Sequence, residues 1–178
     1  MNDQQETAAQ LAALREVARI ASVMVDGDLA MRIITPSAMS ALAHPDPEYR
    51  FMAGDAYDVD HEAFTWMKKT LLRLERLIDF CCSASLWVPV PGLEGFVTLA
   101  VQNGSVHRYY RFGAEKMAAP PEMRRCLDEG QVVVAPSGPP PGALTVLAPV
   151  SDSLGDPVAV VEFSALPGGE DRLAPAWS

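Results

Sequence analysis

Residues 143–166 read ALTVLAPVSDSLGDPVAVVEFSAL, and their pattern decides the fold class. Two runs of small and β-branched residues flank the segment from Asp152 to Pro157, which holds Gly155, so the stretch is predicted to be two strands joined as a hairpin. Just upstream, QVVVAP (131–136) has the composition of a buried strand, and SGPPPG (137–142) that of a stiff extended loop. PPEMRRCLDEG (120–130) is predicted to be a short helix, because Pro120 and Pro121 suit a helix start and Gly130 a helix end. Gly113 to Met117 is read as the lead into it.

The same alternation extends back to Ser83. SLWVPV (85–90), GFVTLAVQ (95–102) and SVHRYYRF (105–112) are three predicted strands, separated by PGLEG and by Asn103-Gly104. Asn-Gly is a hairpin signal because a type I′ turn needs positive φ at both central residues. Pro89 and Pro91 place the end of the first of these strands at an edge or a bulge.

Before Ser83 the period is helical. Asp60 can cap a run of about 20 residues, HEAFTWMKKTLLRLERLIDFCC, in which Phe64, Met67, Leu71, Leu74, Ile78 and Cys81 repeat at intervals of 3 and 4. Lys68, Lys69, Arg73, Glu75 and Arg76 flank that stripe. From Glu6 to Val25 there is no Gly or Pro, and Leu11, Leu14, Ala18, Ala21 and Val25 repeat the same intervals, predicting an N-terminal helix beside the first. The segment between is broken by Gly27, Pro36, Pro45, Pro47 and Gly54 into a connector, with a helical turn or two from Ser37 to Leu42 and extended chain from Arg32 to Thr35. The order implies an α+β domain, a six-stranded, mainly antiparallel sheet flanked by helices.

Composition narrows the function. The chain of 178 residues is 49% hydrophobic and 21% charged, enough apolar surface for a core. Its formal net charge of -9 opposes phosphate backbones and anionic lipid, so neither nucleic acid nor membrane is an expected partner. The start MNDQQETAAQ lacks the layout of a signal peptide, and a cytoplasmic location is expected. Cys81, Cys82 and Cys126 form neither a disulfide framework nor a metal knuckle.

From Asp60 to Leu166 the element order and the residues at its joints resemble a GAF domain. The features that carry the resemblance are the helix ending in CCSASLWVPVPG, the pair GFVTLAVQNG and HRYYRFG, MRRCLDEG running into QVVVAPS, and the closing hairpin LTVLAPVSDSLGDPVAVVEFSA. The resemblance implies a ligand-sensing module over 60–166; the residues outside it read as an N-terminal helix and connector over 1–59 and a disordered tail over 167–178. The NKFDE motif of cyclic-nucleotide GAF domains is missing, Cys126 lacks the neighbouring His of a bilin site, and the cysteines do not match the free methionine sulfoxide reductases.

Candidate chemistry is sparse. Asp55, Asp58, Asp60, His61 and Glu62 form the densest acidic cluster, better explained by capping of the long helix than by a metal. Alternation puts Arg108, Tyr110 and Phe112 on one strand face and His107, Tyr109 and Arg111 on the other, so each face offers an aromatic and a cation for gripping a small anionic or polar aromatic molecule. Arg124 and Arg125 follow on the short helix. Glu162 falls in an interior strand, where a carboxyl needs a partner or water; Arg108 and Arg111 are candidates, and a bound ligand is the alternative. The expected ligand site is His107, Arg108, Tyr109, Tyr110, Arg111, Arg124 and Glu162. No nucleophile with a base beside it, no Gly-rich phosphate loop and no GxSxG is present, so the expectation is a non-catalytic module without cofactor or metal. With no output domain in these residues, its signal is expected to pass in trans to a signalling protein. The alternative is a homodimeric scaffold with a collapsed pocket, in the manner of roadblock and longin modules. On either reading a homodimer is expected, with its seam at Leu11, Leu14, Ala18, Met67, Leu71, Leu74 and Ile78.

Overall fold

The computed structural model describes residues 2–46, 59–103, 116–138 and 142–166. Its helices are α1 (Asn2–Met24), α2 (Gly27–Arg32), α3 (Pro36–Ala43), α4 (His61–Glu75) and α5 (Pro121–Glu129). Its strands are β1 (Cys82–Pro89), β2 (Phe96–Gln102), β3 (Lys116–Ala118), β4 (Val133–Gly138), β5 (Ala143–Ser151) and β6 (Pro157–Ala165). The strands form one sheet in the order β3-β2-β1-β6-β5-β4, and every neighbouring pair is antiparallel. The expected α+β architecture is therefore present, with the first and last strands paired at its centre.

The centre explains the composition of the closing hairpin. In β6, Ala159, Val161, Phe163 and Ala165 face a helical layer, while Val160, Glu162 and Ser164 face the other way. The first face, with Ala84, Leu86, Val88, Val146 and Ala148 from neighbouring strands, packs against Leu14, Val17, Ala21, Ile33, Met67 and Leu71 of the helices. Small side chains in the strands let the helices approach closely. On the second face Trp87, Val97, Leu99, Leu147 and Val160 pack against Met123 and Cys126 of α5. Both faces are thus covered, and β1 is buried almost throughout.

The turn between β5 and β6 is built by Asp152, whose Oδ1 accepts from the amides of Leu154 and Asp156 at 2.9 and 3.0 Å, with Gly155 at φ 93°. α4 begins where Asp60 accepts from the amides of Glu62 and Ala63 at 3.1 and 3.0 Å, so the capping expectation holds for Asp60. α5 starts after Pro120 and ends at Gly130, left-handed at φ 61°.

Several expectations are corrected. β1 is an interior strand, not an edge. Pro89 is its last residue, and the irregularity lies opposite, where Leu86 pairs with Val101 but Trp87 with Leu99, leaving Ala100 as the extra residue of a bulge. The strand at the β2 edge is Lys116–Ala118, where a helix lead-in was expected. The predicted strand at 105–112 lies outside the described residues, as do Gly104, Asp55, Asp58 and the tail from 167. α4 ends at Glu75 rather than near Cys82, because Glu75 turns its carboxyl to the amide of Ala84 and the chain tightens into turns, with Leu77 N–H donating to Leu74 and Ile78 N–H to Glu75.

The residues of the expected dimer seam all belong to this helix-side core. Leu14, Ala18 and Leu71 are fully buried, Met67 and Leu74 nearly so, and Leu11 and Ile78 pack against the same cluster. These side chains fill the core of a single chain.

Candidate functional site

The second face of the sheet carries a row of buried polar residues: Ser83 and Ser85 on β1, Glu162 and Ser164 on β6, and Thr145 on β5. Register brings them together. Ser85 lies opposite Glu162, and Ser83 and Thr145 lie on either side of Ser164. The indole Nε1–H of Trp87 donates to Glu162 Oε2 at 2.8 Å, and the Ser164 hydroxyl donates to Oε1 at 3.0 Å. Thr145 and Ser164 share a further hydroxyl bond at 3.3 Å. Glu162 therefore has partners that its burial demands, Trp87 and Ser164 among them. The proposed partners Arg108 and Arg111 lie outside the described residues.

At the end of the sheet where β1 turns into β2, an open cleft of about 820 Å³ separates the loop 89–96 from α5. Its loop wall is shaped by Gly92 and Gly95, at φ 78° and 76°, and is tied to the start of α5 by the Ala119 N–H donating to the Gly95 carbonyl at 2.8 Å. Val90, Val97, Ala119 and Leu127 supply apolar lining. The charged groups are Arg124 and Asp128 from α5 and Glu94 from the loop. Helical spacing accounts for this division of α5: Met123 and Cys126 face the sheet, whereas Arg124 and Asp128, four residues apart, share an outer side.

Of the expected ligand residues, Arg124 lines the cleft and Glu162 lies in the buried row; the structure does not join them. His107, Arg108, Tyr109, Tyr110 and Arg111 lie outside the described residues. Sequence reasoning missed Trp87, Glu94 and Asp128. Trp87 could have been suspected as the polar-tipped aromatic in an apolar strand, since a buried indole N–H needs an acceptor.

Cys82 and Cys126 are poor nucleophiles. Burial pushes the Cys82 thiol up to about 12, with the nearby Glu75 adding to the effect, and burial does the same to Cys126. Among the described residues no three His, Cys, Asp or Glu side chains gather into a metal-binding group, and no helix is long and apolar enough to cross a membrane.

No family model and no curated protein matches the chain. Similar solved structures include GAF domains. One, described simply as the GAF domain, is 9% identical, with 76% of this chain and 84% of that chain covered and a TM-score of 0.44. The GAF domain/HD domain protein from Geobacter sulfurreducens is 15% identical, over 58% of this chain and 74% of that chain, at a TM-score of 0.42. The A. aeolicus nlh2 GAF domain in an inactive state is 10% identical, over 84% and 82%, at 0.39.

Proposed function

We propose that the chain is a non-catalytic regulatory module that senses a small polar molecule in the cleft between the loop 89–96 and α5. The observation that carries this reading is the cleft itself, a hollow of mixed polar and apolar lining that includes one guanidinium and two carboxyls. Mixed charge of this kind suits a ligand with both an acidic and a basic end, such as an amino-acid-like metabolite, more than a simple anion. The sequence resemblance to GAF domains points the same way. The response passes to a separate protein.

A thermal-shift screen with amino acids, their decarboxylated amines and their deaminated acids tests this. At 100 times its dissociation constant a ligand adds about 2.7 kcal/mol, a shift of several degrees for a domain of this size. Arg124→Ala and Asp128→Ala should each remove the shift while leaving the unliganded melting temperature nearly unchanged. If no compound with both charges shifts the melting curve, or if the shift survives both substitutions, the cleft is not the site. The scaffold alternative then gains, and it has its own support in the exposed apolar side chains Trp66, Leu72 and Leu77 on and after α4.

A further inference from the structure

The inward stripe of α4, formed by Ala63, Met67, Leu71 and Leu74, is used up in the core. Its outward side is unusual for a helix that faces only water. From Trp66 to the turn after the helix, the exposed positions include Trp66, Lys69, Leu72, Arg73, Arg76 and Leu77, three large apolar side chains interleaved with three cations. Trp66 is 54% exposed, Leu77 59% and Leu72 37%. Helical spacing keeps Trp66, Lys69, Leu72 and Arg73 on the outer half of the helix, and Arg76 and Leu77 follow in the turn after it. The ion pairs among the described residues are Arg19 with Glu16 and Arg32 with Asp60, so none of these three cations is paired there. The single carboxyl between residues 66 and 77, Glu75, points away and accepts from the amide of Ala84 at 2.6 Å.

We infer that this face docks an acidic segment of a partner protein that carries apolar anchors. The charge argument selects the occupant. The chain as a whole is at -9, so a local run of unpaired cations stands against the overall balance and offers a specific docking point only to a short acidic element. A second copy meeting α4 through the same face would bring six cations together without a counter-charge, which costs association energy. Nucleic acid and anionic membranes offer the right local sign, but their extended charge meets the net repulsion of the whole chain. An acidic segment pairs with Lys69, Arg73 and Arg76, while its apolar residues cover Trp66, Leu72 and Leu77; tryptophan and arginine are the residue types that most often dominate binding energy. The face lies on the opposite side of the sheet from the α5 cleft, so docking and ligand binding are separable.

A displayed library of random 16-residue peptides, selected against the folded protein, tests the inference. The expected result is enrichment of net-negative peptides with apolar residues at helical spacing. Their synthetic forms should lose about tenfold or more in affinity against Lys69→Glu/Arg73→Glu/Arg76→Glu, a loss of at least ~1.4 kcal/mol, and should also weaken against Trp66→Ala. All four substitutions are at exposed positions, and circular dichroism and melting of each variant verify that it stays folded. Raising the salt concentration should weaken wild-type binding. Selected peptides without net negative charge, failure to enrich peptides sensitive to these substitutions, or a wild-type dimer abolished by the triple charge reversal would each overturn it. So would equal or tighter binding of phosphatidylserine vesicles or duplex DNA through the same three cations.

Discussion

Trp87 and Glu162 are 75 residues apart in sequence, and the indole N–H of one donates to the carboxyl of the other at 2.8 Å across the two central strands of the sheet. They sit diagonally, Trp87 being paired with Val160 and Glu162 with Ser85. The contact joins the first strand to the last and closes the sheet on its second face. A carboxyl at this depth is tolerated because indole and hydroxyl donors are already aimed at it.

Trp87→Phe should therefore destabilise the protein by about 1–3 kcal/mol, from the lost donor and the small void left by the shorter ring. A double-mutant cycle with Glu162→Ala, read by urea denaturation, should show a coupling of roughly 1–2 kcal/mol. Strict additivity would mean that the bond contributes nothing to stability.

Gly27 offers a test in which local propensity and packing have opposite signs. It opens α2, where Ala would ordinarily be better by up to about 1 kcal/mol. A Cβ at this position, however, would fall on the carbonyl of Ser151 and the amide of Asp152 at the end of β5, both backbone atoms that cannot step aside. Gly27→Ala is expected to lower the melting temperature, with a cost of about 1–3 kcal/mol from overpacking. An unchanged or raised melting temperature would show that α2 does not lie so close to the sheet.

Asp60 and Glu75, at the two ends of α4, should give opposite pH responses. The Asp60 carboxyl is held below its ordinary value, first by the amide of Ala63 and further by Arg32 and the amide of Glu62, against some desolvation. Its contribution is present above the ordinary carboxylate range and is lost as pH falls through its lowered value. Burial raises Glu75, despite the favourable amide of Ala84 and the charge of Lys68. The folded state then binds that proton more readily, so the contribution of Glu75 is full below the ordinary value of 4.5 and is lost as pH rises through its raised value. Denaturation measured from pH 3 to 7 should show that Asp60→Asn flattens the acid side of the stability curve. Glu75→Gln should instead remove a decline on the rise from pH 4.5. Parallel curves for both variants and wild type would contradict these assignments.

What the sequence could disclose follows from range. The helical periods, the alternation of β1, β2, β5 and β6, the Asp60 cap, the Pro120 to Gly130 bracket and the Asp152 turn are local, and all are present in the structure. Strand β3 was missed because three residues are too few to show alternation. Pairing of β1 with β6 is a register between distant segments, so neither the interior position of β1 nor the bond from Trp87 to Glu162 could be read from a pattern along the chain. The cleft arises where a loop meets a helix some thirty residues later, and only Arg124 among its charged groups was anticipated. Heptad-like spacing in α1 and α4 marked the buried side of each helix correctly, but spacing alone does not tell a protomer core from a dimer seam.

Thiol reactivity should separate the cysteines. With Cys82 and Cys126 buried and their thiols pushed up to about 12, iodoacetamide at pH 8 is expected to label Cys81, which is half-buried, well before either. Peptide mapping after a short exposure, with a urea-unfolded control labelled at all three, provides the check. Early labelling of Cys126 would mean that α5 opens readily from the sheet.

Leu71 decides between the two uses of the α4 stripe. It is fully buried within one chain, in the cluster that also holds Leu14, Leu86 and Val101. Leu71→Ala should then cost about 2–5 kcal/mol, the range for a large-to-small change in a packed core. The loss should be independent of protein concentration, because unfolding of a monomer core has no association step. By contrast, Leu72→Ala, one residue on and exposed, should leave stability within about 0.5 kcal/mol of wild type. Urea melts of both variants across a hundredfold range of concentration discriminate the cases. If the Leu71→Ala midpoint rose with concentration while its folded form lost mass in sedimentation, the stripe would belong to an interface, and the assignment of α4 to the core of a single chain would fail.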